Sequence, residues 1–353
     1  MKIGIVLGTR PEIIKMAPVI RECQRRRADF FVVHTGQHYS YSMDKVFFED
    51  LELPSSKHNL EVGSGTHGVQ TGKILAGSEK VFMNERPDVA LVQGDTNTVM
   101  AAALSATKLG IKVGHVEAGL RSFDRTMPEE INRVVADHIS DYLFAPTEAA
   151  RKYLLDEGID QGVFVTGNTI VDAVFQAKDI AARRSNALSR LGLESKRYIL
   201  ATAHRAENVD DKKRLAGMLE GMRLACKELG MEVLFPMHPR TQSRIKEFGL
   251  PLEGIRAIEP VGFLDFLQLE SNAGLVLTDS GGVQEETCIL GVPCVTLRDN
   301  TERPETLEVG SNILAGVDPK RILSSAHEMV SRQGWNNPFG DGTASRQIID
   351  ALR

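Results

Sequence analysis

Apolar positions along this chain fall into short blocks, and longer stretches of mixed character separate them. Lys2–Leu7, Phe30–Thr35, Asp88–Gln93, Lys112–Val116, Tyr142–Ala145 and Val163–Thr166 are such blocks. Short apolar, β-branched runs bounded by Gly, Pro or Asn predict fully buried strands. The stretches between them repeat their apolar residues at helical spacing. They predict helices from Pro11 to about Arg27, at Met43–Leu51, Gly68–Glu85 and Thr98–Leu109, and from Pro128 to about Ser140. Pro11 and Pro128 suit first helical turns, where the missing N–H costs nothing.

The pattern restarts near Tyr198. Strands are predicted at Tyr198–Thr202, Glu232–Pro236, Arg256–Glu259, Leu275–Leu277 and Cys294–Leu297. Helices are predicted up to about Leu229 and at Phe263–Glu270, Val283–Leu290 and Asp318–Arg332. Ala182–Lys196 is charged and alanine-rich and reads as a helix end plus linker, and Arg298–Pro304 as a charged loop. Strands that alternate with helices form parallel sheets with helices on both faces. The fold class expected is α/β, with two Rossmann-like, doubly wound parallel-sheet domains facing across a cleft. The first spans residues 1–168 and the second 169–343. Ligands of such sheets bind beyond the carboxyl ends of the strands.

Composition narrows the function. The 353 residues carry 42% hydrophobic and 25% charged positions, as expected of a globular chain with room for two domains. A net charge of −5 argues against a nucleic-acid partner. The apolar run Ile3–Leu7 is too short for a signal peptide or a membrane span. The four cysteines, Cys23, Cys226, Cys288 and Cys294, show no metal-binding spacing, so no metal is expected and a reducing cytoplasm is the natural setting.

Polar residues cluster where the strands end. The segment Gly274–Glu286 reads as strand, glycine turn and helix start, and Ser280-Gly281-Gly282 would offer free N–H groups to a diphosphate. Glu285 or Glu286, one turn further, is better placed to hold sugar hydroxyls than phosphate. Arg10, Lys15, Arg205, Arg303, His204 and His238 are the candidate phosphate cations, and Arg10 and His204 follow strands directly. Asp95 and Glu117 end successive strands, and Glu129 opens the next helix. Converging carboxylates can divide acid and base roles. Gly63-Ser-Gly-Thr-His-Gly68 matches a dinucleotide fingerprint but follows no clear first strand, so no nicotinamide cofactor is expected.

An ordered set of motifs then carries a resemblance. Gly-Thr-Arg-Pro-Glu (8–12), Gly-Gln-His (36–38), Gln-Gly-Asp-Thr (93–96) and His-Val-Glu-Ala-Gly-Leu-Arg (115–121) come first. Pro-Glu-Glu-Ile-Asn-Arg (128–133), Gly-Asn-Thr (167–169), His-Arg-x-Glu-Asn (204–208), Asp-Ser-Gly-Gly-x-Gln-Glu-Glu (279–286) and Thr-Glu-Arg-Pro-Glu (301–305) follow. Nearly the whole chain resembles the non-hydrolysing UDP-N-acetylglucosamine 2-epimerases, in an archaeal variant.

That resemblance implies a GT-B-like architecture whose last helix, about residues 344–353, returns to the first domain. It implies Asp95, Glu117, Glu129 and His204 as the catalytic set. It implies Arg10, Lys15, Arg205, His238, Phe266, Ser280, Gly281, Gly282, Glu286 and Arg303 as substrate ligands, with Glu286 on the uridine ribose. The implied partners are UDP-N-acetylglucosamine and UDP-N-acetylmannosamine in a cytoplasmic homodimer, without cofactor or membrane. Carbon 2 of that sugar has no neighbouring carbonyl, so inversion is expected through loss and re-addition of UDP by way of 2-acetamidoglucal. A GT-B glycosyltransferase, a hydrolysing epimerase and a nucleotide-sugar sensor are the competing readings, and a diacetamido uronate is an alternative sugar. Many bacterial members bind a second UDP-N-acetylglucosamine as activator, partly through an Arg that Gly63–Thr66 lack, so activation is not expected here.

Overall fold

The computed structural model describes residues 1–36 and 41–352, with side chains described outside residues 41–44. Gln37 and His38 therefore lie outside the described residues. The chain divides into two units, Met1–Gln176 with Phe339–Arg353, and Ala177–Pro338.

Unit 1 starts with β1 (Lys2–Leu7), α1 (Arg10–Arg25), β2 (Asp29–His34), α2 (Tyr41–Asp50), β3 (His58–Asn59) and α3 (His67–Glu85). It continues with β4 (Val89–Gln93), α4 (Asn97–Lys108), β5 (Lys112–Val116), α5 (Pro128–His138), β6 (Tyr142–Ala145), α6 (Glu148–Asp156) and β7 (Val163–Val165). The strands form one sheet in the order β3-β2-β1-β4-β5-β6-β7, with every pairing parallel. β4 is buried along its whole length, as a strand covered on both faces must be. Val6, Val33, Val92, Phe82, Val99 and Ala102 pack together on one side of it.

Helix α7 (Thr169–Arg184) runs into unit 2, followed by α8 (Ala187–Leu191), β8 (Tyr198–Thr202), α9 (Ala206–Val209), α10 (Lys212–Leu229), β9 (Glu232–Pro236) and α11 (Pro239–Phe248). Then come β10 (Ile255–Ile258), α12 (Phe263–Asn272), β11 (Leu275–Thr278), α13 (Gly281–Leu290) and β12 (Cys294–Thr296). α14 (Pro304–Glu308), β13 (Asn312–Leu314) and α15 (Pro319–Met329) complete the unit. Its sheet runs β10-β9-β8-β11-β12-β13, again parallel throughout. In both sheets the first strand in sequence lies third from one edge, and the order reverses beside it. The switch points lie between β1 and β4 and between β8 and β11.

α16 (Ala344–Ala351) belongs to unit 1. Arg26, following α1, pairs with Asp350 at 2.6 Å. Its N-terminus is capped from far away: Asp172 on α7 accepts from Ala344 N at 3.2 Å and Ser345 N at 2.9 Å. The stretch read as linker contains the short helix α8, and the charged loop after β12 leads into α14. Pro304 at the first position of α14 favours the helix there.

Candidate active site

In unit 1 the polar groups gather where β1, β4 and β5 end. Gly8 leaves β1 and Thr9 caps α1, whose third residue, Glu12, folds back in a capping box. The Glu12 carboxylate accepts from Gly8 N and from Thr9 N at 2.9 Å, and from the Thr96 hydroxyl. Burial pushes its pKa up to about 7, against those three hydrogen bonds, and the nearby Asp95 adds to the rise. A side chain at Gly8 would lie 2.0 Å from the Thr35 hydroxyl, so only glycine fits this approach to β2.

Glu117 follows β5 with φ at 71°, in the left-handed region that non-glycine residues avoid. Lys15 from α1 grips both its oxygens at 2.7 and 2.8 Å, and the Gln93 amide donates to one of them. The carboxylate on this strained backbone is thus held from two elements, α1 and β4, at the sheet's carboxyl edge. Behind it, His115 is sealed between Asp137 Oδ1 at 2.6 Å and the Gly94 carbonyl at 2.8 Å. Both partners accept, so both ring nitrogens donate. Burial opposes that charge, yet the Asp137 carboxylate outweighs it and raises the His115 pKa. Asp137 also accepts from Gly119 N and Arg121, which pins the loop carrying Glu117.

Asp95 follows Gly94 and pairs with Arg133 of α5. Arg133 also holds Glu130 at 3.0 Å. Of the two acids opening α5, Glu130 is buried and accepts from Ser122 and Phe123, whereas Glu129 is exposed. Arg10 begins α1 with its guanidinium 5.1 Å from the Phe47 ring.

In unit 2 the organising group is Asp279, fully buried where β11 ends. It accepts from the backbone N–H of His204 and of Arg205 beyond β8, and lies 3.0 Å from His204 Nδ1. Burial works against its charge, but these bonds keep its pKa low. An ionised Asp279 fixes the His204 ring and leaves Nε2 for a ligand. His238 caps α11, its ring 6.3 Å from that of His204.

Ser280 caps α13 by accepting from Val283 N. Gly281 and Gly282 form the first helical positions, where N–H groups have no partner within the helix. Glu286 stands four residues beyond Gly282, on the same face of the helix. It is half-buried, while Glu285 is buried and pairs with Arg303 at 2.7 Å. Arg205 reaches Glu302 at 3.6 Å. Hydrogen bonds from Arg298 hold Glu302 down at about 2 against partial burial. Phe266 of α12 is partly buried and packs against the core cluster that includes Leu234, Val276 and Val283.

Each sheet thus gathers its polar groups at its switch point. One set is rich in carboxylates, and the other joins a helix start to a histidine and arginines. The sequence profile of the family described as UDP-N-acetylglucosamine 2-epimerase matches residues 21–353. The chain belongs to the UDP-N-acetylglucosamine 2-epimerase family. It is similar to the UDP-N-acetylglucosamine 2-epimerase of Methanocaldococcus jannaschii, at 55% identity over 100% of this chain and 99% of that one. A crystal structure of that enzyme in complex with UDP-GlcNAc and UDP matches with a TM-score of 0.84 at 55% identity, covering 100% of this chain and 99% of that one. The UDP-2,3-diacetamido-2,3-dideoxy-D-glucuronate 2-epimerase of Pseudomonas aeruginosa is 42% identical over 100% of this chain and 99% of its own length. An epimerase is an isomerase, so this is an enzyme.

Within this epimerase-family chain, Lys15 meets Glu117, His204 meets Asp279 with the His238 ring 6.3 Å from its own, and Ser280 follows Asp279 at the start of α13. Asp95 is drawn toward Arg133, Arg303 toward Glu285, and Glu129 stands apart on the surface. Sequence reasoning assigned no role to Asp279, Asp137, Glu12 or Glu270. Asp279 was findable as a carboxylate ending a strand beside the one that exits into His204. Glu270 was findable as a charge on the apolar stripe of α12.

Proposed function

We propose that this protein interconverts UDP-N-acetylglucosamine and UDP-N-acetylmannosamine by eliminating and re-adding UDP. The start of α13, with Arg205, Arg303 and His204, holds the diphosphate, and Glu286 takes the ribose hydroxyls. A carboxylate of unit 1 removes the proton on C2. The C–H electron pair becomes the C1–C2 double bond, and the C1–O bond breaks with its electrons going to UDP. His204 then stabilises the leaving phosphate. Protonation of C2 from the other face and return of the phosphate oxygen to C1 give the epimer. Glu117, Asp95 and Glu129 supply the acid and base functions.

The observation that supports this most is the Glu117 carboxylate, held by Lys15 and Gln93 in a backbone conformation that costs stability. Its whole-length similarity to epimerases points the same way. Turnover of UDP-N-acetylglucosamine in D₂O, followed by NMR, tests the reading. Product with deuterium at C2 and UDP still attached is expected. Product that retains the original C2 hydrogen overturns elimination, and free N-acetylmannosamine overturns re-addition. The diacetamido uronate is the rival substrate, favoured by the 42% relative, and would be turned over in its place. The four free cysteines suit a reducing cytoplasm, and the proposed assembly is a homodimer, which sedimentation checks.

A further inference from the structure

Glu270 lies on the inner face of α12, fully buried beside Leu267 and Leu269. Both of its carboxyl oxygens are sealed from solvent, and no hydrogen-bond donor among the described residues reaches either one. A carboxylate in that position would be a bare buried charge, which proteins avoid by keeping the proton. The group against it is the Glu286 carboxyl on the neighbouring α13. The other titratable groups around this pair are Glu285 on α13 and Cys294 on β12. Neither is a cation that could neutralise two acids, so the pair must share a proton.

Glu270 is sealed and Glu286 half-open, and that asymmetry decides who carries the proton. We propose that Glu270 is a positioning residue, a neutral acid whose O–H donates to the Glu286 carboxylate and turns its free lone pairs toward the hydroxyls of a bound nucleoside. This rests on the reading above that Glu286 takes the ribose of UDP. Burial, and then Glu286, hold the Glu270 pKa well above the ordinary carboxylate range. Burial also raises Glu286 to about 7, against the lowering effect of the hydrogen bond from Glu270. A carboxylate held by one neutral donor keeps acceptor capacity for two vicinal hydroxyls. Without that donor it is free to rotate, and binding must then fix it.

The test is calorimetric titration of the full-length protein with UDP and with 2′,3′-dideoxy-UDP. Glu270→Met removes the donor in a similar volume, and Glu270→Gln keeps an N–H donor that cannot ionise. The methionine variant should bind UDP about tenfold more weakly, the scale of one hydrogen bond to a charged group. It should bind the dideoxy ligand as wild type does, because no hydroxyl remains to be met. Glu270→Gln should recover UDP affinity to within about twofold. On a Glu286→Ala background, Glu270→Met should add no further loss. Thermal unfolding of Glu270→Met should not fall, since apolar packing replaces a buried acid.

Equal weakening toward both ligands would mean lost packing and would overturn the proposal. So would unchanged UDP affinity in Glu270→Met while Glu286→Ala binds poorly. If Glu286→Ala itself bound UDP like wild type, the ribose reading would fail first and separately. If Glu270→Met does not fold, infrared difference spectra of wild type minus Glu270→Gln at neutral pH decide. A protonated carboxyl stretch supports the shared proton, and an ionised one overturns it.

Discussion

Replacing Glu12 by Gln should change how the stability of unit 1 responds to pH. Glu12 is buried and keeps its proton up to about pH 7, whereas an ordinary glutamate loses it near 4.5. In the unfolded chain it ionises at the ordinary value. Between the two pKa values the folded state binds more protons than the unfolded one, so stability falls as pH rises. At about 1.4 kcal/mol per pH unit, the accumulated loss is about 3 kcal/mol above pH 7, and none of it is present below pH 4.5. Glutamine has the same shape and keeps an acceptor for the Gly8 and Thr9 amides, while the Thr96 hydroxyl can turn to accept from it. It carries no charge at any pH. Urea unfolding of both proteins, followed by far-UV circular dichroism from pH 4.5 to 8.5, measures the difference. The stability of Glu12→Gln relative to wild type should climb by about 3 kcal/mol across that range and then level off. A constant difference at all pH values would show that Glu12 is already ionised in the folded protein, and would refute the argument from burial.

Gly281→Val should leave the fold intact, because a Cβ there meets nothing closer than Glu302 at 3.8 Å. By covering the start of α13 it should weaken UDP by at least about tenfold in calorimetry, and unchanged affinity would remove the helix start as the phosphate site. Glu117→Gln should lower turnover by about 10²–10⁴-fold, and a variant within a few-fold of wild type would take this carboxylate out of proton transfer. With pure UDP-N-acetylmannosamine, turnover should begin at once and follow a hyperbola in substrate, since Gly63–Thr66 carry no cation for a second diphosphate. A lag relieved by traces of UDP-N-acetylglucosamine would show an activator site.

The two parallel sheets were legible because their strands are continuous apolar runs, and the start of α13 because Ser280 caps it and the glycines follow. Hidden elements were those whose reason lies elsewhere in the fold. α8 has only one buried residue, Ala187, and its local sequence is that of a linker. The loop after β12 becomes helical at Pro304 despite its charges. Among site residues, those on strand exits could be read, since a strand's end is visible locally. The long-range pairings that orient them could not. Asp137 meets His115 across 22 positions and Asp279 meets His204 across 75. Nothing near Glu129 or Glu130 in sequence says that Glu130 turns inward to the backbone of Ser122 and Phe123 while Glu129 faces out.

The capping of α16 by Asp172 has a consequence for the order in which the protein can be completed. All of unit 2 is synthesised between the residue that caps and the helix that is capped. Unit 1 therefore begins folding first and finishes second. Until Ala344 and Ser345 leave the ribosome, the Asp172 carboxyl lacks its donors and α1 lacks its Arg26–Asp350 contact. Unit 2 waits for nothing comparable and can close as soon as Pro338 has emerged. A stalled or clipped chain ending near residue 338 should thus carry a native second unit on an unfinished first one. Its exposed α1 face would be what quality-control factors bind.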